Sequence, residues 1–89
     1  MIRKELAIVN KLGLHARAAS HLVKTACDFK SHITVEKGGA SANAKSIMGL
    51  MLLAAAKGHK VTVSADGEDE VAALAAIEAL IFNRFHEEQ

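Results

Sequence analysis

Hydrophobic positions along the chain switch between a period of two and a period near 3.6, which predicts strands interleaved with helices. The predicted elements, in order, are strand 2–9, helix 16–27, strands 32–37 and 40–43, helix 46–56, strand 60–65 and a helix opened by Glu68, Asp69 and Glu70. This order is β-α-β-β-α-β-α. Strands with one polar face, combined with helices, predict an α+β fold in which helices cover one side of a mostly antiparallel sheet.

Turn residues separate these elements. Gly38-Gly39 predicts a hairpin, and Gly58 is the expected stop signal of the second helix. In the third helix we expect a regular apolar face toward the core, formed by Val71, Leu74, Ile77, Leu80 or Ile81, and Phe85. The last residues, 86–89, are expected to fray. The strand order does not follow from the pattern.

Composition narrows the class of protein. The 89 residues suit one domain, and apolar residues make up 51% of them, so a core without disulfides is feasible. A net charge of +1 argues against a nucleic-acid-binding stripe. Cys27 is the only cysteine, which excludes an intramolecular disulfide and fits a reducing compartment. No apolar run has the length of a membrane span, and a cytoplasmic location is expected.

The stretch Asn10–Arg17 joins the first strand to the first helix and concentrates the candidate chemistry. Gly13 lets the loop turn sharply. His15 stands at the expected N-cap, a position that histidine does not favour. A helix N-terminus offers unpaired N–H groups and partial positive charge, and Arg17 can add a guanidinium, so the junction predicts an anion-binding site.

A neutral imidazole nitrogen beside phosphate-binding groups can accept a phosphoryl group and release it again. A phosphohistidine at His15 is therefore the sharper hypothesis, and a solvated loop histidine is the plain alternative. No histidine forms a metal-ligand spacing with another histidine or with Cys27, so we expect neither a metal nor a cofactor; the other histidines are His21, His32, His59 and His86.

The second helix is apolar nearly all round, which predicts that part of it is an exposed docking surface. The pattern assigns Ile47, Leu50 and Leu53, or their neighbours, to the core, and the adaptable side chains of Met48 and Met51 suit a binding surface. Ser46 stands at the N-cap, where a structural role is sufficient. Phosphorylation of this serine, beside the patch, is the functional alternative.

Two separated motifs carry a family resemblance. The stretch Asn10–Ala19 resembles the active-site signature of HPr, the histidine-containing phosphocarrier family of the phosphoenolpyruvate-dependent phosphotransferase system, and Ala44–Leu50 resembles the family's second signature. The similarity covers essentially the whole chain, including Gly67–Glu70 before the last helix. It implies a single HPr-like domain over 1–89. It also implies an open-faced β-sandwich, with a four-stranded antiparallel sheet and three helices on one face.

The resemblance also implies roles for individual residues. His15 would accept a phosphoryl group at Nδ1 from Enzyme I and pass it to an Enzyme IIA-type domain. The phosphate-binding loop would comprise Gly13, Ala16, Arg17 and Ala18, with Arg17 holding the phosphoryl oxygens. Ser46 would be the regulatory site of an HPr kinase/phosphorylase, and the docking surface would contain Ile47, Met48 and Met51. Such a chain is a phosphoryl carrier rather than an independent enzyme, and we expect a monomer.

Ala18 departs from the family signature, which usually has proline after the arginine. Alanine is a strong helix former and restores an N–H donor in the first turn, so we expect retained function and a slightly less rigid helix start. Three stretches resemble the nitrogen-type and incomplete phosphotransferase systems of proteobacteria: Asn10–Gly13, Met51–Gly58 and Phe82–Phe85. This resemblance favours the regulatory branch of the family over the sugar-transport branch.

Two alternatives of other classes stay open at this point. The order β-α-β-β-α-β is shared with RRM-type RNA-binding modules, which need aromatic side chains on the exposed sheet face. The chain has no Tyr or Trp, and its three Phe residues are predicted at helix ends. The second alternative is a non-catalytic interaction domain in which His15 does no chemistry.

Overall fold

The structure, a computed structural model, describes residues 1–86. Of the predicted frayed end, residues 87–89 lie outside the described part. The elements are β1 (Ile2–Ala7), α1 (Ala16–Ala26), β2 (His32–Lys37), β3 (Ala40–Asn43), α2 (Ile47–Leu52), β4 (Lys60–Asp66) and α3 (Glu70–Phe82), followed by a 3₁₀ turn at Arg84–His86. The predicted element order is therefore confirmed.

The four strands form one antiparallel sheet in the order β1-β4-β2-β3. In register, Ile33 lies opposite Ala65 and Val35 lies opposite Val63, and all four are fully buried. Because opposite residues of an antiparallel pair point to the same face, these positions define the side that the helices cover. The predicted open-faced α+β sandwich is confirmed.

The other face of the sheet is polar and open. Thr34 pairs with Ser64, Glu36 pairs with Thr62, and Arg3 of β1 also lies opposite Ser64. None of the three phenylalanines of the chain lies on a strand. Since RRM-type modules stack bases on aromatic side chains of this face, the RNA-binding alternative lacks the residues that it needs.

The core lies between the sheet and the helices. From α1 it receives Ala18, Ala19, Leu22 and Ala26, and from α3 it receives Ala73, Leu74, Ile77, Leu80 and Ile81. The placement of Val71 in the core was wrong, because this side chain is 71% exposed. Phe85 is fully buried, but not as part of α3. The helix ends at Phe82, and Arg84 and Phe85 adopt left-handed backbone angles that return the ring to the core.

Helix α2 is shorter than the pattern predicts and ends at Leu52 instead of Ala56. Ala54 has a φ of +52°, which turns the chain out of the helix four residues before Gly58. The turn buries Ala55, whose carbonyl oxygen accepts a hydrogen bond from Leu14 N at 2.8 Å. That bond joins residues 41 positions apart, so neither local propensity nor a glycine stop signal reveals it.

Asp69 precedes α3, but its carboxylate does not cap that helix. It accepts hydrogen bonds from the Ser31 hydroxyl, from Lys30 N at 2.8 Å and from Ser31 N at 2.9 Å. The Ser31 hydroxyl and then the Lys30 N–H favour the charged form and hold the pKa of the Asp69 carboxyl below its ordinary value. Asp69 thus ties the start of α3 to the turn before β2.

We expect the hydrogen bonds to the Asp69 carboxylate to contribute less to the free energy of unfolding in acid. A carboxyl whose pKa is lower in the folded state contributes stability above its unfolded pKa, about 4. That contribution is lost as the pH falls through the folded-state pKa. Asp69→Asn should therefore unfold at lower denaturant concentration near neutral pH and show a shallower loss of stability in acid than the wild type. The exposed neighbour provides the control, Glu68→Gln. Equal acid slopes for wild type and Asp69→Asn would contradict the assignment.

Candidate functional site

His15 is the N-cap of α1. Its backbone is extended, with φ −78° and ψ 180°, and its carbonyl oxygen accepts the first helical hydrogen bond from Ala19 N at 2.8 Å. The imidazole folds back over the helix end, where Nδ1 accepts from Arg17 N at 3.3 Å. The ring is half-buried. The lone pair of Nδ1 is thus directed at the first turn of the helix, where the N–H groups and the positive end of the dipole lie.

The first turn of α1 contains the backbone N–H groups at which the sequence predicts an anion-binding site. Ala16 and Arg17 are exposed, whereas Ala18 is fully buried. N–H groups in the first turn have no carbonyl partner within the helix, and that of Arg17 donates instead to the imidazole. Ala18 keeps the N–H that a proline would lack, and its methyl group packs into the core.

The loop before His15 is held by close backbone contacts. Asn10 is fully buried, and its Nδ2 donates to the carbonyl oxygen of Gly13 at 2.8 Å. Gly13 has a φ of +67°, and a Cβ at this position would lie 2.5 Å from the oxygen of Ala55 and 2.8 Å from Cα of Ala56. Gly13 therefore serves the site by allowing the loop to pack against the segment after α2, and Leu14 N adds the hydrogen bond to Ala55 described above.

The predicted docking residues lie on the exposed side of α2. Ile47, Met48 and Met51 are 42%, 68% and 41% exposed, and Leu52 is 78% exposed. Leu50 and Leu53 point into the core, as predicted, whereas the assignment of Ile47 to the core was wrong. We call Ile47, Met48, Met51 and Leu52 the α2 patch. Since α1 packs against α2, this apolar surface belongs to the same side of the molecule as the helix that carries His15.

Ser46 is the N-cap of α2, and its Oγ accepts from Gly49 N at 3.1 Å. The side chain is half-buried beside the first residues of the α2 patch. Ser46 therefore has the capping role that the structural interpretation predicts. A phosphoryl group on Oγ would have to replace the hydrogen bond from Gly49 N.

The structure brings the junction residues together, and it adds groups that sequence reasoning missed. Asn10 lies in the motif that resembles the HPr signature, but the sequence predicted no role for it. Leu52 belongs to the α2 patch, whereas the sequence predicted only Ile47, Met48 and Met51 as docking residues. Ala55 and Lys37 contact the backbone around the site through long-range hydrogen bonds, and no local sequence signal identifies such contacts. Among the side chains that the structure describes, no cluster of three or more His, Cys, Asp or Glu residues could hold a metal ion. None of the helices within residues 1–86 is long and apolar enough to cross a membrane.

Comparison with known proteins gives a consistent relationship. Residues 2–83 match the family model described as "PTS HPr component phosphorylation site". The chain is 51% identical over 88 residues to the phosphocarrier protein HPr of Xylella fastidiosa strain Temecula1, and the match covers 99% of each chain. It is 42% identical over 86 residues to the phosphocarrier protein NPr of Shewanella violacea, which covers 97% of this chain and 94% of the relative.

Solved structures agree in fold as well as in sequence. The crystal structure of HPr-C-His from Thermoanaerobacter tengcongensis superposes with a TM-score of 0.96 at 47% identity, covering 100% of both chains. The HPr of Bacillus anthracis superposes with a TM-score of 0.87 at 40% identity, covering 90% of this chain and 95% of that one. The chain therefore belongs to the HPr family, the phosphocarrier proteins of the phosphotransferase system.

Proposed function

We propose that His15 Nδ1 is the atom that carries the phosphoryl group. The observation that supports this assignment is the N-cap geometry, in which Nδ1 faces the first turn of α1 and accepts from Arg17 N. A ring nitrogen that accepts a hydrogen bond carries a lone pair and no proton, which is the requirement for a nucleophile. No other histidine of the described chain caps a helix N-terminus.

The proposed reaction is a phosphoryl exchange between two imidazoles. The lone pair of Nδ1 forms a bond to the phosphorus of a phosphohistidine on Enzyme I, and the phosphorus–nitrogen bond of the donor breaks and returns its electron pair to the donor ring. Transfer to an Enzyme IIA-type domain is the same step with His15 as donor. The transferring group carries negative charge throughout, so positioned positive groups lower the barrier.

The residues around His15 can bind the oxygens of the phosphoryl group during this exchange. When Nδ1 is phosphorylated it can no longer accept from Arg17 N, and this N–H becomes a donor to a phosphoryl oxygen at the helix end. The Ala16 and Ala18 N–H groups belong to the same turn, and Ala18 adds a donor that the usual proline lacks. The exposed Arg17 side chain is free of core packing and can place its guanidinium over the oxygens. Gly13 lets the backbone of this loop pack closely against Ala55.

The experiment that tests this function uses wild-type protein, Enzyme I and phosphoenolpyruvate. We expect a mass gain of one phosphoryl group that is stable in base and lost in acid, as a phosphohistidine is, and a modified peptide that contains His15. No gain in mass would favour the remaining alternative, a non-catalytic interaction domain. A phosphoryl group that is stable in acid would indicate a different modified residue.

We further propose that Enzyme I and Enzyme IIA-type domains bind in turn to the α2 patch. A single apolar surface on the side of the molecule that carries α1 allows each partner to reach His15 in alternation, and methionine side chains adapt to two different surfaces. The patch is apolar and small, which suits transient association.

Met48→Asp tests this surface. The change places a charge on the most exposed methionine of the patch without touching the core, so we expect kcat/KM for phosphorylation by Enzyme I to fall roughly tenfold, mainly through KM. The fold, measured by circular dichroism and thermal melting, should be retained. The matched control is Val71→Asp, an equally exposed apolar residue on α3. Equal losses for both variants would count against the α2 patch.

Ser46 is proposed as a regulatory site for an enzyme of the HPr kinase/phosphorylase type. A phosphate at this N-cap would add negative charge beside Ile47 and Met48, where it opposes the approach of an acidic partner. The N-cap role already explains the serine in the absence of a kinase.

The Enzyme IIA-type protein that accepts the phosphoryl group distinguishes the nitrogen-type branch from the sugar-transport branch. The regulatory, nitrogen-type branch remains the prediction, supported by the NPr relative, although the identity to the HPr of Xylella fastidiosa is higher. Incubation of the phosphorylated chain with nitrogen-type and sugar-type Enzyme IIA domains separates the two branches by the rate of phosphoryl loss.

We propose that residues 1–89 act in the cytoplasm as one carrier domain and as a monomer, with no nucleic-acid partner. Charged side chains on the edge strand β1, Arg3, Lys4 and Glu5, oppose edge-to-edge pairing. One solved structure of the HPr of Thermoanaerobacter tengcongensis is a dimer, so the oligomeric state is a property to measure in solution.

A further inference from the structure

The C-terminal end of α2 is capped by a side chain from a different element. Lys37, the last residue of β2, donates from Nζ to the carbonyl oxygen of Leu53 at 3.2 Å and to that of Ala54 at 3.4 Å. The last carbonyl groups of a helix lack partners within it and carry its partial negative charge. A cation in this position therefore holds the peptide groups through which the chain leaves α2.

The chain leaves α2 in a conformation that is unfavourable for its sequence. Ala54 has a φ of +52°, in the left-handed region, where the Cβ of an alanine lies close to backbone oxygen. Without a further contact, this residue gains by relaxing toward ordinary backbone angles. The two hydrogen bonds from Lys37 are made to the carbonyl groups on either side of the Ala54 N–Cα bond, and they oppose that relaxation.

The same turn supports the loop of His15. Ala55 follows Ala54, is buried, and accepts from Leu14 N at 2.8 Å. Leu14 immediately precedes His15, so rotation of the Ala54 backbone displaces the acceptor that anchors the residue before the imidazole. Gly13 adds close backbone contact with Ala55, which transmits the same displacement.

We propose that Lys37 is a positioning residue for phosphoryl transfer, because it locks the turn at Leu53–Ala54 and thereby fixes Ala55, Leu14 and the imidazole of His15. This inference rests on the proposed function of His15. Lys37 acts through the backbone and takes no part in the exchange of the phosphoryl group. Its effect is on the geometry from which Nδ1 attacks.

Two substitutions separate the donor groups from the rest of the side chain. Lys37→Met keeps an unbranched apolar side chain of similar length and removes the ammonium donors, whereas Lys37→Arg keeps the charge and the donors. The control is Lys30→Met, which removes the same charge at the other end of α1 from His15. Kinetic constants are measured for each protein as the substrate of Enzyme I charged by phosphoenolpyruvate.

For Lys37→Met we expect kcat to fall roughly fivefold because a misplaced attacking atom slows the chemical step. KM should change less than about twofold because the α2 patch is retained. Lys37→Arg should restore most of the rate, and Lys30→Met should match the wild type. Unchanged kcat in Lys37→Met overturns the inference, as does a loss that Lys37→Arg fails to restore.

Amide hydrogen exchange distinguishes local loosening from general instability. In Lys37→Met, exchange of the Leu14 N–H should accelerate roughly tenfold while that of Val63, at the centre of the sheet, stays unchanged. Equal acceleration at both amides overturns the positioning role. A wild-type protein that gains no phosphoryl group overturns the proposed function and this inference together, whereas equal transfer by wild type and Lys37→Met overturns only the role of Lys37.

Discussion

His15→Asn should abolish the acid-labile phosphorylation of this chain by Enzyme I and leave its fold intact. Asparagine is among the best N-cap residues, and its side-chain oxygen can accept from Arg17 N in place of Nδ1. It offers no nucleophilic nitrogen. The variant therefore separates the helix capping that His15 performs from the phosphoryl acceptance that we propose for it.

The measurement is mass spectrometry after incubation with Enzyme I and phosphoenolpyruvate, together with the free energy of unfolding. We expect no mass gain for His15→Asn and a stability within about 0.5 kcal/mol of the wild type. His32→Asn, on the open face of the sheet, is the matched control and should be phosphorylated normally. Phosphorylation of His15→Asn would place the acceptor elsewhere, and a melted His15→Asn would show that the imidazole is needed for folding.

The order of strands and helices along the chain was predictable because it depends on local patterns of hydrophobic and turn residues. Alternation in β2 and β4 and the glycine pair at the hairpin specify which strand faces are buried, and the structure agrees at Ile33, Val35 and Val63. The strand order β1-β4-β2-β3 was not predicted. It depends on long-range pairing between β1 and β4, and a single sequence carries no direct signal of such pairing.

The errors occurred where long-range contacts override local preference. The alanines after Leu52 favour helix, but the chain turns at Ala54 because the carbonyl of Ala55 pairs with Leu14 N and Lys37 caps the helix end. Phe85 lies at helical spacing from Ile81, but it reaches the core through left-handed residues beyond the end of α3. In both places a buried contact is favourable enough to hold an uncommon backbone angle.

The candidate site was predictable for a different reason. A histidine at an N-cap conflicts with local preference, and a conflict of this kind often marks a functional position. The structure adds how the histidine is held, by Nδ1 and Arg17 N at one end and by Asn10, Gly13 and Ala55 through the preceding loop. The sequence indicated the candidate histidine, and the contacts that hold it could be identified only from the coordinates.

Gly13→Ala should destabilise the chain about twice as much as Gly38→Ala, although the two glycines have similar positive φ angles. Two effects add at this position. A φ of +67° costs an alanine about 1–2 kcal/mol, and its Cβ would lie 2.5 Å from the carbonyl oxygen of Ala55, which requires the backbone to move. Overpacking of this kind costs about 1–3 kcal/mol. We therefore expect a loss of about 3 kcal/mol.

Gly38→Ala isolates the steric contribution. Gly38 has a similar φ of +56°, but a Cβ there meets no atom within 4 Å, so only the conformational cost of about 1–2 kcal/mol remains. Both substitutions restrict the unfolded chain equally, and this contribution cancels in the comparison. For a domain of this size, Gly13→Ala should lower Tm by roughly 15 °C and Gly38→Ala by roughly half as much. Equal losses would mean that the loop of His15 yields easily at Ala55, and the close packing that positions the imidazole would then be weaker than the contacts of Gly13 indicate.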